Sequence, residues 1–316
     1  MTLLPLSLST LSTQTSHPLT ILITGSSSGI GLSTATLLTT LTPTPNLILL
    51  DLHPPPPTFT HPSSHTLFHP CNITSWSSLR TGFALGHAKF SRIDSVFINA
   101  GIAEHGDQFF TDDLDTSGHL KEPDHRVLNV DLDAAADTTK LAIHYLRKNG
   151  KQSGGTIVLT ASLAGYLASA GAPLYSAAKH GVVGLMRALK QECAKLGIAI
   201  SVVAPAITVT PILTGESQGR GSSAEEYARA MGEVGVPINR PESVALAVCW
   251  LILEGMRGNG AGIFVQADRF VDLERGLAGT REGWMGREML ELFRGGRGAP
   301  LFKRLGDEGS DEKAKI

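Results

Sequence analysis

"TGSSSGIG", residues 24–31, closes an apolar run, "LTILI" (19–23), and opens a segment with helical spacing. Two unrelated devices are built from a glycine-rich turn between a strand and a helix. One seats a nucleotide diphosphate on bare backbone N–H groups at the helix N-terminus. The other is a nucleophile elbow, G-x-S-x-G, which Gly25, Ser27 and Gly29 also spell.

Position in the chain separates the two. An elbow needs an earlier strand and loop to supply an oxyanion-hole N–H, then an acid and a histidine downstream. This turn follows the first plausible strand, and no acid–histidine pattern follows it. A serine hydrolase is therefore the distant alternative. The cradle instead needs a carboxylate about twenty residues on, at the end of the second strand, to accept ribose hydroxyls. Asp51 ends "NLILLD" (46–51), twenty residues after Gly31. No Lys or Arg lies in 19–52 to attract a 2′-phosphate, and an anion there repels one. NAD(H) is expected as cofactor, with NADP(H) disfavoured.

The rest of the chain extends this pattern. Its 316 residues are 42% hydrophobic and 18% charged, an ordinary globular balance. A formal net charge of −2 offers no global attraction for nucleic acid or an anionic membrane. Residues 1–18 read as a flexible N-terminal arm rather than a signal peptide, since no basic region opens them and Ser, Thr and Pro interrupt the leucines. No window approaches a membrane-spanning length of apolar residues. Cys71, Cys193 and Cys249 are few, odd in number and far apart, which predicts free thiols in a reducing, cytoplasmic setting. His61, His65 and His69 recur at intervals of four, but in a proline-rich stretch that cannot be helical, so no metal is expected.

Strands rich in Val, Ile and Leu are predicted at 19–24, 46–51, 66–71, 94–100, 155–161, 198–205 and 262–267. Helices are predicted near 30–41, 75–90, 123–149, 173–196, 222–233 and 241–255. Their alternation predicts an α/β fold: one Rossmann-type, doubly wound parallel sheet of about seven strands, with helices on both faces. The expected organisation is the arm at 1–18, a dinucleotide-binding catalytic domain at 19–268, and a C-terminal extension at 269–316. That extension carries one amphipathic helix at best and ends in a charged, disordered stretch. A polar insertion at 104–124 follows the fourth strand.

As it stands, "TGSSSGIG" resembles the glycine motif of the short-chain dehydrogenase/reductase family. "NAG" (99–101) after the fourth strand, "YSAAK" (175–179), Ser162 thirteen residues before Tyr175, and "PAITVTP" (205–211) resemble further family motifs in the family's order. Ala206 departs from the glycine usual after that proline. "TASLAGY", "KHGVVGLMRALK" and "MLELFRGGRGAPLF" are similar to fungal secondary-metabolism members close to hydroxyprostaglandin dehydrogenase. The resemblance implies a catalytic set of Asn129, Ser162, Tyr175 and Lys179. It implies a cofactor seat of Gly25, Ser27, Ser28, Gly29, Ile30, Gly31, Asp51, Asn72, Ile73, Asn99, Ala100, Gly101, Thr208 and Thr210, together with Tyr175 and Lys179.

These residue types suit hydride chemistry. Spacing of four places Tyr175 and Lys179 on one helix face. A neighbouring ammonium favours phenolate over phenol, so Tyr175 can take or return a substrate proton. Ser162 would hydrogen-bond the substrate oxygen. By resemblance, Asn129 would hold a water relaying protons to Lys179. The expected substrate is a small hydrophobic secondary alcohol or ketone, bound by Leu163, Ala164, Tyr166, the segment 207–236 and tail residues near Trp284. Gly215, Gly219, Gly221, Gly232 and Gly235 would make that segment a lid. Small residues on the 173–196 helix, Ala177, Ala178, Gly181 and Gly184, predict a homodimer. A non-catalytic NAD(H)-binding sensor remains the alternative from another class.

Overall fold

The computed structural model describes residues 3–11, 15–150, 154–214 and 223–296. β1 (Thr20–Thr24) leads through the glycine turn into α1 (Gly29–Leu38), and β2 (Asn46–Asp51) follows. β3 (Thr66–Pro70), α2 (Trp76–Phe90) and β4 (Ser95–Ile98) complete the first half. The second half runs α3 (Ala134–Leu146), β5 (Gly155–Thr160), α4 (Pro173–Lys195), β6 (Ile198–Pro205), α5 (Ala224–Glu233), α6 (Pro241–Glu254) and β7 (Gly262–Gln266).

The strands lie in the order β3-β2-β1-β4-β5-β6-β7-β8. All pairs are parallel except β7 with β8 (Arg269–Asp272). Burial on both faces explains the continuous apolar runs. Along β1, Leu22 joins Ile48, Val96 and Ile157 in the core on one face, while Ile21 and Ile23 join Leu47, Phe97 and Val158 on the other. The order reverses between β1 and β4, which opens a crevice at the carboxyl ends of those strands.

The predicted doubly wound parallel sheet is present, and it gains an eighth strand. β8 returns antiparallel through Ala267 and Asp268, both at positive φ, a hairpin turn written without the glycine or asparagine that usually marks one. The arm is not free where described: Leu4 N–H donates to Phe270 O at 2.9 Å, and Leu11 is buried in the core beneath α1 and α6. The extension holds more helix than expected: α7 (Leu273–Gly279), α8 (Arg281–Met285) and α9 (Arg287–Gly296). The charged end expected to be disordered lies outside the described residues, as do Gly215, Gly219 and Gly221 of the expected lid.

The helix predicted over 123–149 is broken. A short turn, Arg126–Leu128, passes into a π-helical turn, Asn129–Asp133, before α3 begins. Such turns shift the phase of a helix and occur often at functional sites. The histidines of the proline-rich loop pin it to the start of β2: His61 Nε2 is 2.9 Å from Pro45 O, and His65 Nδ1 is 2.8 Å from Asn46 Oδ1. Among the described residues no helix is long and apolar enough to cross a membrane.

Candidate active site

The turn after β1 is built around close backbone approach. Gly25 has φ +65°, and a Cβ there would stand 2.8 Å from Ala100 Cα. Gly31 packs so closely that a Cβ would lie 1.9 Å from Gly25 O. The N–H groups of Gly29, Ile30 and Gly31 precede the first intrahelical bond, Leu32 N–H to Ser28 O. They open the N-terminus of α1 towards the crevice, where backbone dipoles favour an anion. Asp51 lies at the same edge, its Oδ2 accepting Ser27 N–H at 3.0 Å.

The motif after β4 ties this turn to the neighbouring strands. Asn99 and Ala100 donate their N–H groups to Thr24 Oγ1 at 3.0 and 3.3 Å. Asn99 Nδ2 donates to Gly25 O at 3.1 Å, and its Oδ1 accepts from Thr160 Oγ1 at 3.1 Å. Thr210 closes the far side, since a Cβ on Gly29 would meet its Cγ2 at 3.1 Å. Thr208 differs: buried, it donates to Ala206 O and accepts from Asn239 Nδ2, so its hydroxyl serves the loop after β6. Asn72 is exposed and accepts from Thr74 N–H and Oγ1, with half-buried Ile73 beside it.

α4 carries the tyrosine and lysine to the end of β5. Lys179 Nζ donates to Thr160 O at 3.0 Å and stands 5.4 Å from the centre of the Tyr175 ring. Ser162 follows two residues after Thr160, its Oγ accepting Ala164 N–H at 3.2 Å. Asn129, expected to reach Lys179 through a water, is exposed at the first residue of the π turn. Asp131 stands beside the lysine, with Oδ2 3.0 Å from Lys179 Nζ and Oδ1 accepting Ile102 N–H at 2.8 Å. The cause is geometric: residues two apart on a helical turn point to roughly opposite sides, so only one of the pair can face α4.

Burial opposes the charge on Lys179, but Asp131, Tyr175 and the Asp131 hydrogen bond outweigh it, holding the ammonium above the ordinary lysine range. A second carboxylate, which no sequence motif marks, stands beside the pair. Glu104 Oε2 accepts Tyr175 N–H at 2.8 Å, an acid at the N-terminus of α4. It reaches there from a loop whose sequence shows only polarity. Glu104 also lines a cavity of about 180 Å³ with Ile102, Gln108, Asp124, Arg126 and Ile212, more polar than the expected pocket. Trp284 lines a separate cleft with Arg187 and Lys190. Tyr166 is likewise turned away from the expected pocket: its ring lies under Arg187, and its hydroxyl stands 2.2 Å from where a Cβ on Gly262 would be.

The N–H groups that open α1 and the Tyr175–Lys179 pair stand at the carboxyl edge of the same sheet. Comparison with known proteins agrees. The family description "short chain dehydrogenase" matches residues 19–221. The chain is 34% identical over 291 residues to "Short-chain dehydrogenase/reductase prx4" of Penicillium roqueforti, covering 86% of this chain and 82% of that protein. It is 31% identical to "Short-chain dehydrogenase/reductase ATR7" of Stachybotrys chlorohalonatus, over 86% and 84% of the two chains. The human "3-hydroxyacyl-CoA dehydrogenase type-2" is 32% identical, over 61% and 74%. Levodione reductase shares the fold, with a TM-score of 0.62 at 24% identity, over 79% of this chain and 96% of that one. The chain belongs to the short-chain dehydrogenase/reductase family and is an oxidoreductase acting on CH–OH groups.

Proposed function

We propose that this oxidoreductase uses NAD(H) to interconvert a hydrophobic secondary alcohol and its ketone in small-molecule secondary metabolism. The observation that carries this reading is the buried Lys179 ammonium 5.4 Å from the Tyr175 ring, at the sheet edge that holds the glycine turn and Asp51. Gly25, Ser27, Ser28, Gly29, Ile30, Gly31, Asp51, Asn72, Ile73, Asn99, Ala100, Gly101 and Thr210 would hold the dinucleotide, with Lys179 on its ribose. When bound, it supplies the hydride acceptor or donor.

The protein's share is the proton. As phenolate, Tyr175 takes the alcohol's hydroxyl proton while the C–O bond becomes C=O; as phenol, it returns a proton to the carbonyl oxygen. Ser162 donates to the same oxygen and aims it at Tyr175. Purified protein given hydrophobic secondary alcohols with NAD⁺ or NADP⁺ tests the reaction by absorbance of the reduced cofactor. NAD(H) binding without turnover of any alcohol or ketone would favour a sensor instead.

Asp51 accounts for the choice of cofactor, because its carboxylate suits ribose hydroxyls and repels a 2′-phosphate. Asp51→Ala is expected to weaken NAD⁺ about 10–100-fold, the worth of hydrogen bonds to a charged group, and to narrow the NAD/NADP preference. Titration calorimetry with both cofactors checks this, and an unchanged preference would remove Asp51 from recognition.

The proposal includes a homodimer through the outer face of α4. Ala177 and Gly184 are exposed there, whereas Ala178 is buried in the fold and Gly181 faces Leu132 of the same chain, 2.7 Å from where its Cβ would be. Gly184→Arg is expected to convert the dimer to monomer in light scattering, since among the described residues nothing beyond its own helix lies within 4 Å of a Cβ there. The buried free thiols Cys71, Cys193 and Cys249 support a reducing compartment such as the cytoplasm.

A further inference from the structure

The Lys179 ammonium is not held by a neutral amide. Two groups converge on Asp131: Ile102 N–H donates to Oδ1, and the Lys179 ammonium forms an ion pair with Oδ2 at 3.0 Å. The Asp131 and Lys179 side chains are only 1% and 5% exposed, so water screens little of their interaction. Gly101 closes the site, as a Cβ there would stand 3.0 Å from Asp131 Oδ2. An amide would offer the two donors one oxygen and no charge, whereas a carboxylate offers an oxygen to each and a negative charge to the ammonium.

We propose that Asp131 is a positioning residue: by pairing directly with Lys179 it withholds positive charge from Tyr175, so that Tyr175 keeps its proton to higher pH. This rests on the reading of Tyr175 as the proton carrier. A lone cation within ~4–6 Å favours an anion by about 1–3 pH units. An ion pair of zero net charge offers Tyr175 only a dipole. The other charged groups at this end of α4 do not replace the lost field. Glu104, on Tyr175 N–H, is acidic; Arg126 is engaged by Asp124; and the His180 side chain sits on Ser176 O through Nδ1.

The test is a phenolate absorbance titration of cofactor-free protein, with the Tyr175 signal obtained by subtracting Tyr175→Phe. Only four tyrosines are present, so the subtraction is small. Asp131→Asn and Asp131→Ala are each expected to lower the Tyr175 midpoint by about one pH unit or more. The acid limb of alcohol oxidation should move with it, giving about tenfold faster oxidation well below the limb. A midpoint that stays in place or rises overturns the proposal. So does failure of both variants to fold by circular dichroism, which would leave Asp131 a structural part; if one folds, it carries the comparison. The titration needs neither cofactor nor substrate. A lowered midpoint without NAD(H) turnover would count against the proposed reaction alone, and turnover with an unmoved midpoint against Asp131 alone.

Discussion

Tyr175→Phe is expected to lower kcat by about 10²–10⁴-fold, the usual worth of a positioned acid or base, while NADH affinity changes little. The substitution removes one oxygen and keeps the ring beside Lys179. The contact to Glu104 is made by the backbone N–H and survives. Loss of rate thus reports the proton step and not the fold. Steady-state rates in both directions, with calorimetric binding of NADH, separate the two effects. Turnover close to that of the parent protein would remove Tyr175 as the acid and base.

Gly31→Ala should all but abolish cofactor binding. Its new methyl would stand 1.9 Å from Gly25 O, and the atom it meets is backbone, fixed by the Asn99 amide at 3.1 Å. Overpacking a rigid site costs typically about 1–3 kcal/mol, and relief here requires the diphosphate turn itself to shift. Affinity for NADH is expected to fall about 100-fold or more, as roughly 3 kcal/mol corresponds to that factor. The melting temperature should fall by about 2–4 °C per kcal/mol. Calorimetry and thermal melts check both, and unaltered NADH affinity would show that the turn does not seat the dinucleotide.

Much of the architecture is legible because it is local. β2 and β6 span the residues that their apolar runs mark, 46–51 and 198–205. α4 starts at Pro173, whose fixed φ and missing N–H suit a first helical position. β8 was not legible, since Ala267 and Asp268 carry no hairpin signature and four residues are too few to show a period. The anchoring of Leu4 and Leu11 was hidden for another reason. Their apolar character gives no address, and only the finished sheet edge and the space beside α1 and α6 supply one.

The candidate site divides in the same way. Tyr175 and Lys179 lie on one turn of one helix, and Gly25, Gly31 and Asp51 belong to one strand–helix–strand unit. Short-range periodicity and turn chemistry suffice to relate residues so close in sequence. Asn129 and Asp131 compete for a single place beside α4, and a π turn settles which faces it. Glu104 meets the Tyr175 N–H across 71 residues of chain. The sequence by itself determined the sheet, its cofactor turn and the tyrosine–lysine helix, because helical and strand periods are properties of neighbours. Only the tertiary structure decided which acids stand against that helix, because burial beside a charge depends on how separate segments pack.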